Sequence, residues 1–168
     1  MKKLQTILTL LIVVIAFGTA HADKKKQANK ATEAWRYDIE CAGVGSDGTY
    51  MVKVWSYSKK AQIATEQSKK NAVHGIIFKG IAGKTQGCPA QKPIARNPTL
   101  QQEQSDYFKK FFSDGGDYMK YVLSASRGLE KVKIGREYKV GVVISVAKDQ
   151  LRKDLETAGI IKGLSTGF

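Results

Sequence analysis

Residues 35–57 read WRYDIECAGVGSDGTYMVKVWSY, and this stretch decides the fold. Trp35, Tyr37, Ile39 and Cys41 alternate with Arg36, Asp38 and Glu40, the two-residue period of a strand with one apolar face. Gly43 to Gly48 (GVGSDG) is a turn, with Asp47-Gly48 as its strongest signal. Alternation resumes from Thr49 to Tyr57: Tyr50, Val52 and Val54 take one face, and Met51, Lys53, Trp55 and Tyr57 the other. Two alternating runs around a tight turn predict an antiparallel hairpin.

Downstream, Lys59 to about Lys79 reads as a helix rich in alanine, glutamine and lysine, with Ala72, Val73, Ile76 and Ile77 on its apolar face. Gly80 to Pro98 holds every proline of the chain and predicts a long loop, a feature that is often functional. Thr99 and Gln102 form a T-x-x-Q capping box for a second helix, whose Leu100, Tyr107, Phe108, Phe111 and Phe112 read as core. Strands follow at Tyr118–Ser126, around Val132 and Ile134, and at Tyr138–Ala147. In the last, Val140, Val142, Ile144 and Val146 share a face, and Val143 opposite them predicts a central strand buried on both sides. Asp149 opens a last helix with Leu151, Leu155 and Ala158 toward the core, and Gly159 stops it. The expected class is α+β: an antiparallel sheet of about four strands, with two to three helices packed mainly on one face.

The chain has 168 residues and a formal charge of +13. Lys2 and Lys3 precede an apolar run from Ile7 to Phe17, and Ala20-His21-Ala22 places small residues at the −3 and −1 positions of a signal-peptidase site. The run falls short of the ~20 residues that span a bilayer. The expected organisation is a signal peptide at 1–22, a polar lysine-rich tail at 23–34 and a single globular domain at 35–168. That address is periplasmic or extracellular, with no transmembrane segment after processing.

The processed chain keeps two cysteines, Cys41 and Cys88, and one histidine, His74. An oxidising compartment permits a Cys41–Cys88 disulfide; the other reading is two separate thiols, Cys41 being a small core residue. One histidine and two cysteines without CxxC spacing make no convincing zinc site, and no metal or cofactor is expected. HExxH and the Walker loop are absent. His74 reads as a solvated residue on a helix surface, and Asp38 and Glu40 as a solvated strand face.

Between Gly48 and Gln102 lie nine basic residues, Lys53, Lys59, Lys60, Lys69, Lys70, Lys79, Lys84, Lys92 and Arg96, against the single acid Glu66. A localised basic surface draws anionic partners, or serves only solubility. Nucleic acid is a poor fit to an exported chain. Lipid headgroups, lipopolysaccharide, acidic glycans or an envelope protein fit better. The candidate binding surface is Lys53, Trp55, Tyr57, Lys59, Lys60, Lys69 and Lys70, aromatic groups beside cations being useful at interfaces.

The phrases AGVGSDGTYMVKVW, ATEQSKKNAVHGIIFKGI and EYKVGVVISVAKDQLRKDLETAGI resemble small bacterial envelope proteins of the flagellar-assembly and surface-lipoprotein kind. The resemblance rests on Gly43-Val44-Gly45 followed by a helix carrying Ala61, Ala64 and Ala72. It implies a non-enzymatic part of an envelope assembly and supplies no site residues. The leading expectation is therefore a secreted, non-enzymatic binding module. The alternative is a small hydrolase acting on envelope glycan or peptide, using Cys88 or a carboxylate pair, with His74 as base.

Overall fold

A computed structural model describes residues 35–83, 87–126 and 130–163. The expected signal peptide and lysine-rich tail lie outside the described residues. The chain divides into two compact units after Arg36, and the unit from Tyr37 onward carries all the described strands and helices.

The predicted hairpin forms from β1 (Tyr37–Val44) and β2 (Tyr50–Ser58), with an irregularity in the ladder between Cys41 and Gly43. In its turn Thr49 donates to the Ser46 carbonyl through both its amide and its hydroxyl. β2 then pairs antiparallel with β5 (Glu137–Val146), from Tyr50 opposite Val146 to Ser58 opposite Tyr138. The other side of β5 is shared by β3 (Val122–Ala125) and β4 (Glu130–Ile134). The five-stranded antiparallel sheet thus runs β1-β2-β5-β3, with β4 also on β5.

One face is dry. Val52, Val54, Val140, Val142, Ile144 and Val146 are all fully buried there, each contributing about 1.5–3 kcal/mol by leaving water. Helix α1 (Ala61–His74) lies against them, and its small Ala64 and Ser68 allow a close approach. On the opposite face Gly141 alone is buried; Met51, Lys53, Trp55, Tyr57, Lys139 and Val143 are all partly exposed. β5 is interior to the sheet as expected, but the burial expected around Val143 is not found. The helices gather on the other side, so Val143 keeps part of its surface in water.

Between α1 and the sheet sits a polar knot. Asn71 Nδ2 donates to Ser56 Oγ at 2.9 Å, and the Ser68 hydroxyl is 2.9 Å from both Ser56 Oγ and the Ala64 carbonyl. Each hydroxyl has one proton, so a relay from Asn71 to Ser56, Ser68 and Ala64 uses both of them.

After His74 the helix widens into a π turn, Gly75–Lys79, closed by Gly80 N–H on the Gly75 carbonyl. Gly75 lies so close to β1 that a Cβ would stand 2.5 Å from Ile39 Cδ1. The carbonyls of Ile76 and Ile77, orphaned at the helix end, accept from the amides of Ile94 and Ala95. The long loop is thereby docked. Ile81 and Gln91 exchange two backbone bonds, and the Tyr50 hydroxyl donates to the Gln91 side chain.

The expected second helix is broken into α2 (Leu100–Glu103) and α3 (Ser105–Phe111). The T-x-x-Q box does not form. Asn97 Oδ1 accepts the Thr99 amide instead, at 3.0 Å, because an Asn-Pro turn already aims that oxygen at the free donors. Phe108, Phe111 and Phe112 are core, as expected. The strand expected from Tyr118 begins later: Asp117–Tyr121 is a 3-10 turn that drives Tyr118 and Tyr121 against Phe112 and Phe111. Helix α4 (Lys148–Thr157) buries Leu151 and Leu155 but leaves Ala158 exposed. It ends with Gly159 at φ 68° and the paired bonds Gly159 N–H to Glu156 O and Ile160 N–H to Leu155 O. Among the described residues no helix is long and apolar enough to cross a membrane.

Candidate functional site

The open sheet face is built by strand parity. Once Val52 and Val54 face α1, Lys53, Trp55 and Tyr57 must face away. Trp55 is flanked by Asp38 on β1 and Gly141 on β5. Its ring lies flat on Gly141, where a Cβ would stand 2.8 Å from Trp55 Cζ3. Trp55 Nε1–H donates to Glu40 Oε1 at 3.0 Å. Two ammonium groups approach the ring, Lys53 Nζ at 4.5 Å and Lys139 Nζ at 5.1 Å from its centroid. Lys139 also lies 5.3 Å from the Tyr57 ring, and both Tyr57 Oη and Lys139 Nζ donate to Asp38 Oδ2 at 3.0 Å. Lys53 pairs with Glu130 on β4.

Partial burial alone would raise the Asp38 carboxyl, but the bonds from Lys139 and Tyr57 and the nearby Lys79 charge outweigh it and hold it below the usual range. The Lys139 ammonium is held above its usual value by its bonds to Tyr57 and Asp38. Asp38 is therefore an ionised strut, unsuited to donating a proton at neutral pH.

The seven residues expected to form one surface fall into three groups. Lys53, Trp55 and Tyr57 share the open face. Lys59 and Lys60 sit exposed in the turn before α1. Lys69 and Lys70 belong to α1 in the helical layer, where they pair with Glu66 at 2.9 Å and Asp114 at 3.6 Å. Asp38 and Glu40, expected only as a solvated strand face, complete the site together with Lys139, Gly141 and Glu130, which were not anticipated. Alternation along residues 138–147 already placed Lys139 and Gly141 opposite Val140; what the sequence lacked was the knowledge that β5 lies beside β2. With Lys53 and Lys139 set against Asp38, Glu40 and Glu130, this face is charge-compensated.

The hydrolase alternative loses its cysteine nucleophile. Cys41 and Cys88 are joined in a disulfide with Cα atoms 5.8 Å apart, so Cys88 has no thiolate to offer. His74 is not on the surface as expected. It is buried beneath β1, with Nδ1 2.6 Å from the Tyr37 hydroxyl and Nε2 3.1 Å from Gln101 Oε1, and its ring packs on Phe78 and Phe112. Burial, helped by the Lys79 charge and opposed by the bond to Gln101, pushes its pKa down to about 3. Among the described residues no group of three or more His, Cys, Asp and Glu side chains is arranged to hold a metal ion. No protein-family model, no curated protein and no solved structure matches the chain.

Proposed function

We propose that this protein is a secreted, envelope-associated, non-enzymatic module that binds a protein partner across its open sheet face. The observation that carries the reading is the Trp55–Tyr57 pair, which no helix among the described residues covers and which Lys53, Lys139, Asp38 and Glu40 hold in place. Large aromatic rings already fixed in position lose little side-chain freedom on binding. The compensated charge favours a protein surface of mixed polarity over a lipid headgroup, lipopolysaccharide or acidic glycan, each of which presents anions alone.

The test is amine-reactive crosslinking in intact producing cells, with adducts mapped by mass spectrometry. The expected result is a reproducible protein adduct through Lys53 or Lys139 that disappears in the Trp55→Ala/Tyr57→Ala variant. Self-links alone, or an adduct indifferent to that variant, overturns the reading. Binding to anionic vesicles that the variant abolishes would redirect it to a membrane surface.

A further inference from the structure

The outer edge of the sheet next to this face is unusually open. All five β4 residues are exposed. Leu123, Val132 and Ile134 are 57%, 53% and 51% exposed, and with Met119 they are the large apolar side chains most open to water among the described residues. Among those residues β4 pairs only with β5, so its far side offers unpaired backbone groups to an incoming strand. Opposite Lys139 and Glu137, Val132 and Ile134 stand on the open face beside Tyr57. Lys131 and Lys133, opposite Val140 and Tyr138, stand on the other. Lys131 Nζ lies 5.7 Å from the Tyr138 ring, and neither lysine forms an ion pair among the described residues.

A second copy is a poor occupant. Antiparallel self-pairing that keeps both open faces on one side can be centred on Lys131, Val132 or Lys133. Each register sets a lysine against Lys131 or Lys133, and like charges directly opposite repel. A strand with carboxylates at those positions inverts the sign, and its alternate apolar residues extend the surface of Val132 and Ile134. We infer that the β4 edge accepts an extended segment of a partner protein with acidic residues alternating with apolar ones. The inference rests on the binding-module reading above and names the kind of segment that module takes.

The probe is a blocked heptapeptide of alternating glutamate and valine, with its lysine–valine counterpart as control, titrated into isotope-labelled full-length protein. The glutamate peptide is expected to shift and protect the amides of residues 130–134. The K131E/K133E variant should bind it roughly tenfold more weakly and prefer the lysine peptide. Equal response to both peptides, shifts confined to other elements, or indifference to K131E/K133E overturns the inference. The two failures separate. No peptide binding with the in-cell adduct intact removes the edge inference alone; absence of the adduct removes the module reading as well.

Discussion

The Tyr37 hydroxyl donates to His74 Nδ1 across 2.6 Å, joining the edge strand β1 to the end of α1. The amide oxygen of Gln101 accepts from Nε2, so the neutral imidazole, protonated at Nε2 and bare at Nδ1, satisfies both neighbours. The folded-state pKa of about 3 lies below the ordinary value of 6.5. Between those values the unfolded chain takes a proton that the folded chain refuses. The contribution is therefore full above the unfolded pKa and falls as pH drops toward 3, by about 1.4 kcal/mol per pH unit. Urea unfolding at pH 5 should show roughly 2 kcal/mol less stability than at pH 7.5. His74→Gln, which keeps an acceptor for Tyr37, should flatten that slope; an unchanged slope would refute the assignment.

The Cys41–Cys88 bond closes a loop with a sequence separation of 47. Chain entropy assigns such a closure about 4 kcal/mol. Reduction, or Cys41→Ser/Cys88→Ser, should lower stability by that order in a denaturant titration. Amide exchange should rise first at Ile81 and Gln91, whose mutual bonds bracket Cys88.

Gly141 is the seat of Trp55. Gly141→Ala should lift the ring, break its bond to Glu40 and cost about 1–3 kcal/mol through overpacking. In a Trp35→Phe background, which leaves Trp55 as the only tryptophan, the emission should move to longer wavelength. Loss of the in-cell adduct together with that shift would tie binding to the ring's position.

Ser56 holds the polar knot beneath the sheet. Ser56→Ala leaves Asn71 Nδ2 and the Ser68 hydroxyl without their shared partner and should cost about 1–3 kcal/mol. Asn71 Oδ1 is already a buried acceptor with no hydrogen-bond partner among the described residues. Replacing the set together, as Ser56→Ala/Ser68→Ala/Asn71→Leu, should therefore be much less damaging than Ser56→Ala alone, as thermal unfolding would show.

The hairpin, the valine face of β5 and the phenylalanine core were legible because a two-residue or helical period places each side chain without knowledge of its neighbours. The open face was half legible. Parity gave Lys53, Trp55 and Tyr57 a common side, but Lys139 and Asp38 join them only through pairings that no local pattern records. His74 was misread for the same reason. A helix flanked by lysines looks solvated until Tyr37, Gln101 and the phenylalanines arrive from elsewhere in the chain. Lys69 and Lys70 resembled part of one basic surface because charge was summed along the sequence, while the fold divides that segment between the two sides of the sheet. Asn97 displaced Gln102 from the expected box because a turn residue two positions upstream of Thr99 reached the Thr99 amide.

The long ladder that sets Tyr50 opposite Val146 has a consequence for how the chain is made. β2 (Tyr50–Ser58) is made well before its interior neighbour β5 (Glu137–Val146). Contacts this distant in sequence slow folding, because the intervening chain must be ordered before they repay the cost. The hairpin β1–β2 would therefore wait with the outer edge of β2 unpaired until β5 arrives. A polypeptide threaded through a narrow pore from its N-terminus would stay unlocked, and so able to pass, for as long as β5 had yet to appear.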